Sequence, residues 1–126
     1  MSQEIYIIKS DKEKLLQIIN KAISQELKSE ASLKELETEI NRAKVIEQEE
    51  LSYRFIKMNS KVIMTVDQDE EELTLVYPNE ADIKKNKISI LSPIGTAILG
   101  YKEGSSVEWK VPNGIVHIHI HNIIDL

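Results

Sequence analysis

The apolar residues of this 126-residue chain change their spacing once, close to residue 50, and that change separates two kinds of structure. Before it, Leu15, Leu16, Ile18, Ile19, Ala22, Ile23 and Leu27 recur at intervals of three and four, the period of a helix with one dry face. Ser10 stands three residues before Glu13, which is capping-box spacing, so the pattern predicts that a first helix starts there. The signal repeats at Ser32 and Glu35, and Leu33, Leu36, Ile40 and Ala43 follow the 3, 4, 3 spacing of coiled-coil a and d positions. Only Lys28, Ser29, Glu30 and Ala31 separate the two runs, enough for a reversal. Residues 1–52 are therefore expected to form an antiparallel helical hairpin, a short coiled coil about 27 Å long for an 18-residue helix.

After Glu47, Glu49 and Glu50 the period shortens. Lys61 to Val66 and Glu72 to Tyr77 are rich in Val, Ile, Thr and Tyr and predict strands, with the polar tract from Asp67 to Glu71 as their connection. Ile88 to Leu91 predicts a third strand. Ser92 followed by Pro93 predicts the start of a short helix that ends near Leu99 and Gly100. All four glycines fall at or after Gly95, where the chain has to turn most often. Ser105 to Val111 and Ile115 to Ile124 then read as two strands joined through Pro112, Asn113 and Gly114. The expected fold class is α+β, with the hairpin arm over residues 1–52 and a mainly antiparallel sheet domain with one short helix over 53–126.

Charge and composition exclude several functions. Twenty-one acidic against sixteen basic residues leave a formal charge of −5, which disfavours a protein that grips nucleic acid by neutralising phosphates. A chain with no cysteine has no disulfide framework, no thiolate nucleophile and none of the usual ligands of a structural zinc site. The longest apolar stretches, such as Ile5 to Ile8, fall far short of a membrane helix, and the N-terminus lacks an export signal, so a cytoplasmic address is expected.

Several segments together resemble a known family. Met58-Asn59-Ser60, Leu73 to Pro78, Ile88 to Gly100 and Val111 to Gly114 are similar to the C-terminal domain of the bacterial GreA/GreB transcript cleavage factors. The S-P-x-G-x-A-x-L-G segment is the most specific. The Met-Asn-Ser opening, the Leu-Val-Tyr-Pro strand and the short arm are closer to Rnk, the regulator of nucleoside diphosphate kinase, in the same superfamily. The resemblance implies an FKBP-like sheet domain that docks at the rim of the RNA polymerase secondary channel while the hairpin points into it. It implies a polymerase partner, no cofactor, no direct contact with nucleic acid or membrane, and no enzymatic activity of its own. Docking residues expected near the S-P-x-G helix are Ser92, Pro93, Thr96, Tyr101 and Lys102. In the Gre factors an acidic tip containing Asp holds a catalytic magnesium ion. Here the tip, Gln25 to Ser32, has no Asp, and its carboxylates are Glu26 and Glu30 with Lys28 between them. A cation of that kind needs converging carboxylates, so the expectation is a binder that does not stimulate cleavage; the alternative is a cleavage factor using Glu26 and Glu30.

Three further features have sharper and plainer readings. His117, His119 and His121 alternate along one strand and offer a metal-binding alternative, or simply a polar outer face. The acidic tract Asp67, Asp69, Glu70, Glu71 and Glu72 lacks the glycine of a calcium loop and reads as a solvated turn that could steer a basic partner. Trp109 and Tyr101 could line an isomerase-like pocket, but Trp109 alternates with Val107 and Val111, so a core role is expected and isomerase activity is not.

Overall fold

The computed structural model describes residues 4–24, 30–47, 54–111 and 113–124, and shows a mixed α+β fold built on a curled sheet. Strand β1 (Tyr6–Ile8) runs without a loop into helix α1 (Lys9–Ser24), and helix α2 (Glu30–Arg42) leads into strand β2 (Lys44–Ile46). The two short strands pair in parallel, Tyr6 opposite Lys44 and Ile8 opposite Ile46. Neither was expected, because three residues are too few to establish a period of two.

Both helices start earlier than their capping signals predicted. Since β1 feeds directly into α1, Ser10 lies inside the first turn rather than ahead of it, and Ser32 likewise lies within α2. With 16 residues α1 is about 24 Å long. The periodic residues behave as expected: Leu15, Ile19 and Ala22 of α1 and Leu33, Leu36 and Ile40 of α2 are buried, and the two helices pack on each other. Their apolar faces join the same buried cluster as Val62, Leu75, Ile90 and Ile120 of the second half. The expected division at residue 52 lies outside the described residues.

The sheet consists of β3 (Lys61–Val66), β4 (Asp69–Val76), β5 (Lys87–Ser89), β6 (Ser106–Val111) and β7 (Gly114–Ile124), in the order β5-β4-β3-β7-β6. Only β4 and β5 run parallel; their connection carries short 3-10 turns at Pro78–Glu80 and Ile83–Lys85. Most of the acidic tract belongs to β4, which corrects its reading as a turn. The connection is only Asp67 and Gln68, with Val66 opposite Asp69 and Asp67 in the left-handed region at φ 55°. Asp67 is also pinned to β7, since its N–H donates to the His117 carbonyl (2.6 Å) and its Oδ1 accepts from the His117 N–H (3.1 Å).

Helix α3 (Pro93–Ile98) follows β5 and explains the glycine-containing segment residue by residue. Ser92 is its N-cap, accepting from the Gly95 N–H at 3.1 Å, and Pro93 occupies the first turn, where its missing N–H costs nothing. A Cβ on Gly95 would lie 2.4 Å from the Ser89 carbonyl oxygen, so only glycine lets α3 approach β5 this closely. Gly100 ends the segment at φ 87°, with its bare Cα against β1: a Cβ would lie 2.6 Å from the Tyr6 carbonyl oxygen.

Two substitutions test this packing. Ile40 is fully buried, so Ile40→Ala is expected to cost about 2–5 kcal/mol in urea-induced unfolding. Gly95→Ala forces a methyl group against backbone and is expected to cost about 1–3 kcal/mol in the same measurement.

Candidate interaction surface

The surface around α3 differs from what the sequence suggested. Pro93 is exposed, and Ser92 and Lys102 are half-buried. Thr96 and Tyr101 are corrections: they are only 5% and 6% exposed and cannot serve as open docking contacts. Thr96 sits on the inner side of α3, where its hydroxyl donates to the Ile90 carbonyl at 3.0 Å and so satisfies a polar group that burial would otherwise penalise. Tyr101 packs into the core with its hydroxyl at the surface end, accepting from Arg42 Nη2 at 3.1 Å. Lys102 holds its ammonium 5.0 Å from the centre of the Tyr6 ring, a cation–π contact that ties it to β1.

Beside Tyr101 a cavity of about 700 Å³ opens between the C-terminal end of α2 and strands β3, β6 and β7. Glu39 and Arg42 form one wall. Arg42 makes a two-pronged pair with Glu39, at 3.0 Å from Nε and 2.9 Å from Nη2, and this contact is the main reason its pKa is raised. Burial raises the Tyr101 hydroxyl pKa as well, so that side chain stays a neutral hydrogen-bonding group. Thr65, Asp67, Ser106, His117 and His119 supply a polar opposite side. Trp109 also lines this space. It packs against the core but stays half-buried, because β6 lies at the sheet edge.

The three histidines lie on β7 but do not converge. His117 Nδ1 is 3.5 Å from Glu108, His119 Nδ1 is 2.8 Å from the Ser106 hydroxyl, and His121 Nε2 is 2.6 Å from the Thr65 hydroxyl. Only His119 and His121 touch, edge to face at 4.7 Å between ring centres. Among the described residues no three His, Asp or Glu side chains are placed to hold a metal ion. The regular alternation also stops here. The pairing with β3 slips between Ile63 opposite Asn122 and Met64 opposite Ile120, leaving a bulge at His121. His121 and Asn122 are therefore both exposed, and Ile123 turns inward.

One polar site went unrecognised in the sequence. Asp11 occupies the helical stripe of Leu15 and Ile19, facing the sheet, and accepts from the Met58 N–H and the Tyr77 hydroxyl at 3.4 Å each. Lys14 caps the Tyr77 ring at 4.1 Å. Burial is the largest influence on Asp11 and raises its pKa, against the smaller pull of the Met58 hydrogen bond; burial and then the Asp11 charge raise Tyr77. The available signal was a carboxylate four residues ahead of Leu15 on the apolar face. Glu26 lies outside the described residues. No helix among the described residues is long and apolar enough to cross a membrane.

The sheet order, the tight α3 segment and the Met58–Ser60 turn locked against β4 define one class of domain. The family model described as "Transcription elongation factor, GreA/GreB, C-term" matches residues 51–125, and the chain belongs to that family. Its sequence is 42% identical over 88 residues to "Transcription elongation factor GreA" of Rhodospirillum rubrum, covering 68% of this chain and 55% of that protein. It is 33% identical over 88 residues to "Regulator of nucleoside diphosphate kinase" of Escherichia coli K12, covering 68% and 65%. The chain thus spans about half the length of the GreA protein it matches. A solved structure, "Prokaryotic transcription elongation factor GreA/GreB from Nitrosomonas europaea", superposes with a TM-score of 0.72 at 35% identity, covering 97% of this chain and 98% of that one.

The raised Asp11 pKa has a signed consequence. A carboxyl group whose folded value lies above its unfolded value favours the fold below the unfolded value, and that contribution is lost as pH rises through the folded value. At neutral pH the charged group opposes folding. Asp11→Asn is expected to raise the melting temperature at pH 7, with the gain over the original chain shrinking towards pH 4; a gain independent of pH would contradict the assignment.

Proposed function

We propose that this chain is an RNA polymerase-binding transcription accessory factor of the Gre/Rnk type. In this reading the sheet domain is FKBP-like and docks at the rim of the secondary channel, while α1 and α2 are a short hairpin arm directed into it. The observation that carries the reading is the likeness to the Nitrosomonas europaea factor, which extends over both chains almost entirely and includes the helices as well as the sheet. With Thr96 and Tyr101 inside the fold, the docking surface reduces to Pro93, Ser92 and Lys102.

The protein is proposed to be non-enzymatic and not to stimulate transcript cleavage. Support comes from the tip, where the carboxylates of Glu26 and Glu30 flank Lys28 and no aspartate is present. A magnesium ion that must be shared with a polymerase active site calls for converging carboxylates and retained waters, and a lysine among them opposes that charge. Occupying the channel without donating catalytic groups makes such a protein a competitor of cleavage factors.

Purified core RNA polymerase should retain this protein saturably, and a full-length Gre factor should displace it. On a backtracked complex the protein should not accelerate cleavage of the transcript. Acceleration that Glu30→Ala abolishes would instead establish a cleavage factor with Glu26 and Glu30 at its tip, and absence of polymerase binding would remove the reading altogether.

A further inference from the structure

Strand β6 is one edge of the five-stranded sheet, and among the described residues its strand partner is β7 alone. In an antiparallel pair successive residues direct their N–H and C=O groups to alternate sides, so an edge strand carries a row of these groups facing away from its neighbour. Two open cavities, of about 700 and 640 Å³, meet along β6 and share Glu108 and Trp109. The smaller is bounded across from the strand by Lys34, Glu35 and Thr38 of α2. The edge at Trp109 therefore borders two open grooves, each with α2 as part of its far wall.

We propose that β6 is a self-pairing edge whose occupant is β6 of a second copy of this chain, running antiparallel about a two-fold axis at Trp109. The pattern of charges selects this register. Two-fold symmetry and strand alternation together require paired positions of the same parity, so the pairing is centred on a residue. Centring on Glu108 or Lys110 sets like charges face to face, which is unfavourable. Centring on Val107 leaves Lys110 opposite Gly104. Centring on Trp109 sets Glu108 opposite Lys110 of the second copy, and by symmetry does so twice, on the exposed face of the sheet. On the other face it brings together two half-buried indoles, a pair with both apolar area and favourable ring geometry to gain. The charged residues of the smaller cavity, Lys34, Glu35, Glu108 and Lys110, balance, so two copies meet there without the repulsion that a chain of net charge −5 would otherwise impose.

Trp109 is the only tryptophan in the chain, so its emission reports on the surroundings of this edge. Sedimentation of the full chain over about a hundredfold range of concentration should show a monomer–dimer equilibrium, with a blue shift of the emission tracking the dimer fraction. Glu108→Lys should weaken association by about tenfold or more, and the double charge swap Glu108→Lys with Lys110→Glu should restore it. Unchanged far-ultraviolet circular dichroism for both variants would establish that they fold. Salt should narrow the difference in association between the original chain and Glu108→Lys, because it screens the attraction between Glu108 and Lys110 in the one and the like-charge repulsion in the other; a difference indifferent to salt overturns the pairing. A chain that stays monomeric throughout, or a charge swap that fails to restore association, also overturns it. So does an emission shift produced only by added RNA polymerase, which would assign the edge to a strand of that partner.

Discussion

Everything in this fold converges on the bare Cα of Gly100. Its carbonyl accepts from the Tyr6 N–H at 3.1 Å and its own N–H donates to the Ile56 carbonyl at 2.9 Å. The Ile56 N–H in turn donates to the Tyr101 carbonyl at 2.9 Å, and the Lys44 N–H to the Ile5 carbonyl at 2.9 Å. Four stretches distant in sequence, around residues 5, 44, 56 and 100, are thereby tied by backbone groups that are buried and must be paired. The joint exists only because Gly100 has no side chain and adopts a positive φ. A methyl group there would meet the Tyr6 carbonyl, and β1, which feeds α1 directly, would have to move. The position of the helices relative to the sheet is therefore set by this joint together with the apolar cluster they share.

The same joint explains which parts of the fold were legible. Long amphipathic runs announced α1 and α2, and Ser92-Pro93 announced α3 within a residue of its observed start, because in each case the information is local. β1 and β2 were not legible, since each is only three residues long and is stabilised by its partner and by Gly100 rather than by its own pattern. The acidic stretch of β4 misled for a related reason. Asp69 to Glu72 have poor intrinsic strand preference, but pairing with β3, a two-residue turn and the anchoring of Asp67 to β7 override it.

Motif residues were legible as a family mark but not as a surface. Ser92 and Thr96 read in the sequence as docking contacts and Gly95 and Gly100 as part of the family motif, yet each has a complete explanation in packing and hydrogen bonding: a cap, a buried hydroxyl, a close approach and a positive φ. The Met58-Asn59-Ser60 turn behaves alike, with the Asn59 N–H donating to the Leu75 carbonyl at 2.6 Å and the Ser60 hydroxyl accepting from the Lys57 N–H at 2.9 Å. Such residues identify a scaffold because the scaffold cannot be built without them. The polar cavity beside Arg42 and Tyr101 was invisible for the opposite reason: its walls come from α2, β3, β6 and β7, and no local pattern records their meeting.

The two ends of α1 are held by forces of different kinds, and this bears on how such a protein could work. At its start, β1 is held by backbone hydrogen bonds, one from the Tyr6 N–H to the Gly100 carbonyl and the others in its parallel pairing with β2, while the first turn rests on Asp11, whose two contacts are long and whose charge the fold disfavours. Beyond that, the helix is held by the apolar stripe of Leu15, Ile19 and Ala22, packed in one cluster with α2 and the sheet. Apolar contacts are non-directional and tolerate small changes of angle that a hydrogen-bonded strand does not. A rigid sheet domain joined to helices whose mutual packing is apolar is suited to the proposed division of labour, in which the scaffold sets where the protein binds and the helices determine what it does there.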